Sequence, residues 1–153
     1  MHLGCIYLHV KDYDKSVRFY ENLLEMKVSA ENKDRFAMFH FEGHCIALMN
    51  SFFDREHPDL VVHKGESYDY FDNSVEIANE PNSRKAVLNF WVEDLKKEYQ
   101  RIMKMNPPKI TKIRYLCYKS PYYYFHLTDL DGNIIEITGD YKPEENANVS
   151  IKM

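Results

Sequence analysis

Two halves of this chain repeat one order of elements, and that repeat limits the possible folds more than any other feature. The run CIYLHV at residues 5–10 is apolar and β-prone, which predicts a strand. Asp12 and Asp14 follow, placed to cap a helix that begins near Lys15. Val17, Phe19, Tyr20, Leu23 and Leu24 then recur at helical spacing and define one buried face. A polar segment at 29–34 leads to two apolar runs, 36–41 and 45–49, separated by the tight turn Glu42-Gly43-His44.

The second half takes the same course. VLNFWV at 87–92 predicts a strand, Asp94 a cap, and Leu95, Tyr99, Ile102 and Met103 an amphipathic helix that Pro107-Pro108 ends. Runs at 110–118 and 122–128, the turn Asp129-Leu130-Asp131-Gly132-Asn133 and a last strand at 134–138 complete it. Superimposing Val10-Lys11-Asp12 on Val92-Glu93-Asp94 brings Gly43 and Gly132 to corresponding hairpins. The competing reading is two unrelated α+β halves that share common strand-to-helix chemistry. The recurring order and the recurring hairpin glycine favour duplication.

This divides the chain into module one at 1–52, a connection at 53–84, module two at 85–140 and a tail at 141–153. The connection is rich in Asp, Glu, Asn and Ser, and its Phe52, Phe53, Tyr68, Tyr70 and Phe71 suggest that parts of it pack back. It is either a lid over a pocket or a plain linker with a short edge strand at 75–78. From Glu144 the tail reads as frayed, with residues 149–151 able to dock weakly.

A hydrophobic fraction of 44% with 12 Tyr and 9 Phe supplies a core and excludes a wholly disordered chain. A net charge of -4, with both signs interspersed, argues against nucleic acid as a partner. No apolar run approaches the roughly 20 residues that cross a bilayer, and the first residues lack the pattern of a signal peptide. Cys5, Cys45 and Cys117 are odd in number, match no zinc spacing and suit a reducing compartment. The expectation is a soluble cytoplasmic protein whose partner is a small molecule, not nucleic acid or membrane.

Four stretches carry a family resemblance. They are Tyr7-Leu8-His9-Val10-Lys11-Asp12, Ser16-Val17-Arg18-Phe19-Tyr20-Glu21-Asn22-Leu23-Leu24, Phe90-Trp91-Val92-Glu93-Asp94-Leu95, and Asp129-Leu130-Asp131-Gly132-Asn133-Ile134-Ile135-Glu136-Ile137. The last follows a D-P-D-G-N-x-I-E signature with Leu130 in place of proline. The sequence resembles the vicinal oxygen chelate superfamily of glyoxalases, bleomycin resistance proteins and extradiol dioxygenases. The resemblance implies an α+β fold of two tandem βαβββ modules forming a curved mixed sheet around a concave pocket. It also implies a homodimer.

In metal-dependent members of that superfamily both modules supply ligands to a divalent ion. The corresponding positions here are Cys5, Ala47, Val87 and Glu136. Valine and alanine cannot ligate, so only Glu136 is retained, and Cys5 reads as a small buried apolar side chain. No cofactor is therefore expected. The other reading is a metal-dependent lyase, isomerase or dioxygenase with a displaced ligand set, in which Glu136 combines with His126, His9 or Cys5.

Strand alternation indicates what the pocket holds instead. Cys5, Tyr7 and His9 share one face of the first strand. Tyr122, Tyr124 and His126 share a face of theirs, and Glu136 shares one with Ile134 and Thr138. The expected ligand-binding residues are Tyr7, His9, Tyr122, Tyr124 and Cys5, and the expected catalytic pair is Glu136 with His126. Each has a structural reading beside the functional one: the tyrosines as an ordinary β-prone run, the histidines as hydrogen-bonded supports. Glu136 is harder to dismiss, because an inward carboxylate needs a partner. With His126 it forms either a general base and its orienting group, or a polar anchor for a ligand amine or hydroxyl. The function expected is binding or transformation of a small amphiphilic or aromatic molecule without the usual metal site.

Overall fold

The computed structural model describes residues 1–60, 63–64, 67–68, 74–117 and 119–143. Module one runs β1 (Ile6–Val10), α1 (Tyr13–Leu24), β2 (Ala30–Asn32), β3 (Phe36–Phe41) and β4 (His44–Asn50). The connection holds α2 (Phe53–Glu56), a 3-10 turn at Pro58–Leu60, the short pair β5 (His63–Lys64) and β6 (Ser67–Tyr68), and α3 (Ser74–Asn79). Module two runs β7 (Val87–Val92), α4 (Leu95–Met105), β8 (Lys109–Ile110), β9 (Arg114–Cys117), β10 (Pro121–Thr128) and β11 (Ile134–Gly139).

Both long helices start as the sequence predicts. The Asp12 carboxylate accepts from the Lys15 N–H at 3.1 Å, and that of Asp94 from the Lys97 N–H at 2.9 Å. Both end on a left-handed residue other than glycine, Glu25 and Asn106, each at φ 52°. Pro107-Pro108 therefore follows an end that Asn106 has already made.

The hydrogen bonding forms one principal sheet per module, ordered β1-β4-β3-β2 and β7-β11-β10-β8, with β9 also on β10. In each, the first strand lies parallel to the last: Tyr7 faces Ala47, and Asn89 faces Glu136. The α+β class and the duplicated unit stand. Among the described residues, side chains and not strand pairing join the modules. Val10, Tyr20, Phe39 and Leu48 of the first share one core with Leu95, Ile102, Phe125 and Ile135 of the second.

The polar joint between modules centres on Asp129, only 2% exposed. Its carboxylate accepts from the Tyr20 hydroxyl at 2.7 Å, from the backbone N–H groups of Asp131 and Asn133, and from the Asn133 side chain. Beside it the Lys11 N–H donates to Asp131 at 3.2 Å. On the helix side, Arg101 of α4 donates to the carbonyls of Asn22 and Leu23, capping the end of α1.

Three elements differ from expectation. The polar segment at 29–34 contains β2, an exposed edge strand held by pairing with β3 and carrying no apolar pattern. The run at 110–118 is broken into β8 and β9, because Thr111 turns aside: its N–H donates to the His126 carbonyl, and its hydroxyl accepts the His126 N–H. The edge strand expected at 75–78 is corrected to the helix α3, which packs its buried Val75 near β1. Four residues are too few for a strand period to be told from a helical one. The expected packing of Tyr70 and Phe71, the side chain of Tyr68, the run's end at Tyr118 and the docking of residues 149–151 lie outside the described residues. No helix among the described residues is long and apolar enough to cross a membrane.

Two stability predictions follow from the joint. Tyr20→Phe removes one donor from a buried carboxylate and should cost about 1–2 kcal/mol in urea denaturation; an unchanged midpoint would refute the role given to that bond. Burial, and then the neighbouring Asp129, push the Asp131 carboxyl above its ordinary 3.8. The folded state thus holds the proton more tightly, and stability falls as pH rises through that window. Asp131→Asn keeps an oxygen for the Lys11 N–H and removes the charge. It should raise the urea midpoint at neutral pH, with the gain gone below 3.8.

Candidate functional site

The outer face of the second sheet follows from alternation along three neighbouring strands. Phe125 and Leu127 of β10 and Ile135 and Ile137 of β11 turn into the core, as Leu88 and Phe90 of β7 do in part. Their neighbours turn outward. The strand register then sets His126 opposite Glu136, and Glu136 opposite Asn89, as one row across β10, β11 and β7.

That row is hydrogen-bonded end to end. His126 Nε2 lies 2.7 Å from Glu136 Oε2, and Asn89 Nδ2 donates to Glu136 Oε1 at 2.9 Å. With the carboxylate as acceptor, Nε2 carries the hydrogen, and a neutral imidazole keeps its lone pair on Nδ1. Aromatic rings extend from this row. The Tyr124 ring sits 5.0 Å from that of His126, and the Tyr122 ring 5.5 Å from that of Tyr124. On β7, Trp91 stands opposite Thr138 with 63% of its surface open, and Val87 is 44% open. The face offers one anchored carboxylate–imidazole pair bordered by π surfaces.

The structure thus brings together Glu136, His126, Tyr124 and Tyr122. Tyr7 and His9 lie on the first sheet, with ring centroids 6.3 Å apart. His9 Nδ1 lies 3.1 Å from the Ser74 hydroxyl of α3, and burial holds the imidazole below its ordinary 6.5. Asn89 and Trp91 escaped the sequence reading. The signal for them is period-two alternation in VLNFWV, which puts both on the face of Glu136.

The reading of Cys5 as a small buried side chain is corrected. Cys5 and Cys45 form a disulfide with Cα atoms 4.7 Å apart, and only Cys117 is free and exposed. Cys5 immediately precedes β1, which lies parallel to the β4 that carries Cys45, and this brings the two within disulfide reach; a separation of 40 residues hid the pair.

The model of the Glyoxalase/Bleomycin resistance protein/Dioxygenase superfamily matches residues 2–137. The chain belongs to this superfamily. Solved structures of similar fold include a glyoxalase-related enzyme from Fulvimarina pelagi, at 16% identity and TM-score 0.60 over 91% of this chain and 88% of that one. A lactoylglutathione lyase from Agrobacterium tumefaciens is similar at 13% identity and TM-score 0.58, covering 90% and 92%. An integron cassette protein from the mobile metagenome of V. cholerae is similar at 21% identity and TM-score 0.57, covering 92% and 96%. No curated protein matches the chain.

The positions that would hold the superfamily's metal do not fit one here. Val87 and Ala47 have no donor atom. The Cys5 sulfur is bonded to that of Cys45, and both oxygens of Glu136 are engaged. In this structure no group of three His, Cys, Asp or Glu among the described residues is placed to hold a metal ion.

Proposed function

We propose that the protein binds a small amphiphilic or aromatic molecule on the outer face of the second sheet, without a metal. The Asn89–Glu136–His126 row beside open aromatic rings supports this reading. Tyr122, Tyr124 and Trp91 supply stacking surface for an apolar ring, and Glu136 supplies the charge that attracts an amine. Asn89 holds Glu136 in place, and Glu136 in turn fixes the His126 tautomer. The Nδ1 lone pair is then ready to accept a hydrogen bond from a ligand hydroxyl. The same atom would take that proton if the bound molecule reacts, which makes His126 the base and Glu136 its orienting group.

Trp91 is the chain's single tryptophan and lies on this face, so its emission reports occupancy. Titration with tyramine, benzyl alcohol and phenylacetate should give a saturable change, strongest for the amine. Glu136→Gln should weaken tyramine about tenfold or more, the equivalent of a charge-assisted hydrogen bond. A flat response to all three, or equal affinity in the variant, would sink the proposal.

The absence of a metal is tested separately. Disulfide-closed protein isolated without chelator or affinity tag should carry far less than one equivalent of divalent metal by elemental analysis. A ratio near one would instead support a lyase, isomerase or dioxygenase that recruits Glu136 as a ligand.

A further inference from the structure

The first sheet carries a second constellation, away from the Glu136 row. Along β4, Ile46 and Leu48 turn into the core face, so Cys45 shares the opposite face with Ala47 and Met49. On β3 the core takes Ala37 and Phe39, which turns Met38 and His40 the other way. On β1 it takes Val10, which leaves Tyr7 and His9 opposite, and Cys5, just before β1, is tied to the same face by its bond to Cys45. Cys45 stands directly across from His40 in the β3–β4 register and is bonded to Cys5 on the other side. His40 of β3, Cys45 of β4 and Cys5 at the entry to β1 therefore form one row across one face of the sheet.

We propose that reduction of the Cys5–Cys45 disulfide opens a site for a thiophilic d10 cation, Zn2+, held by the two thiolates and the His40 imidazole. Directly opposed residues in an antiparallel pair keep their Cβ atoms about 4.5–5.5 Å apart. Bonds of about 2.3 Å to sulfur and 2.0–2.1 Å to nitrogen span that gap comfortably. The disulfide itself demonstrates that the two sulfurs can meet, and opening it lets them part to the spacing of a tetrahedral ion. His40 is exposed, and its ring has no hydrogen-bond partner among the described residues. A depression of about 410 Å³, lined by Gly4, His40, Glu42, His44 and Cys45 among others, gives the ion a route in and leaves its fourth position to solvent.

The chemistry makes the site conditional. In the closed form each sulfur has spent its valence on the other, and neither is a thiolate. A dithiol reductant delivers two electrons and two protons, becomes a disulfide itself, and leaves two thiols on the protein. Zn2+ then displaces both thiol protons as the two Zn–S bonds form. Binding to the reduced form alone pulls the thiol–disulfide balance toward that form by mass action. The site shares only Cys5 with the ligand positions implied by the superfamily, and it does not depend on the function proposed for Glu136.

The test is Co2+ titration of the full chain, reduced by a dithiol and desalted without oxygen. The expected result is one Co2+ per chain, with a thiolate-to-cobalt charge-transfer band that Zn2+ abolishes by displacement. Reoxidation with diamide should remove the band, and Cys45→Ser should prevent it. His40→Ala, a change at an exposed side chain that removes one of three protein ligands, should weaken binding about tenfold or more, since loss of even an outer-shell partner of a ligand commands that much. Cys117→Ser should leave the band intact. No band in the reduced protein, equal binding after oxidation, indifference to His40→Ala, or loss in Cys117→Ser would each overturn the proposal.

Discussion

A carboxylate removed from water must find donors or lose its charge, and Asp129 finds four within the fold. Three of them lie in its own turn, so the β10–β11 hairpin is closed by its own first residue. The fourth is the hydroxyl of Tyr20, on the helix of the other module. One buried group therefore fixes both the turn and the docking of the halves. The register it sets is what places His126 across from Glu136. A slip of one residue in either strand would turn its member of the pair to the opposite face.

Much of this was legible because local chemistry and global structure agree. Asp12 and Asp94 announce their helices, and the alternation in β10 and β11 separates core from face without any knowledge of the fold. The pairing of Glu136 with His126 follows from that alternation once the hairpin is counted. What escaped depends on contacts distant in sequence. β2 is a strand only because β3 lies beside it. α3 is a helix whose few residues carry no decisive period. Cys5 meets Cys45 because β1 is laid parallel to β4, and no spacing rule reports a crossover.

The two sheets face their surroundings differently. The first is bound to the connection: His9 to Ser74, Arg35 to Asp54 at 2.7 Å, and Arg55 to Glu76 between α2 and α3. Ala47 and Ser51 are buried on that side of the chain. The second keeps Trp91, Val87 and its tyrosines accessible in whole or part. A ligand face that needs open aromatic surface is therefore better served by module two, although both modules have the same strand order.

Duplication makes the divergence readable position by position. Tyr7 opposite Ala47 corresponds to Asn89 opposite Glu136, so one backbone slot pairs a tyrosine with an alanine in module one and holds a hydrogen-bonded carboxylate in module two. One step back, Cys5 and Cys45 correspond to Val87 and Ile134. There the exchange runs the other way: disulfide-bonded sulfurs in the first module, two aliphatic side chains in the second. The parallel pairing brings both slots to contact distance whatever occupies them. Side-chain identity alone decides which slot holds polar or sulfur-bearing groups, and the two modules place theirs at different slots of the same frame.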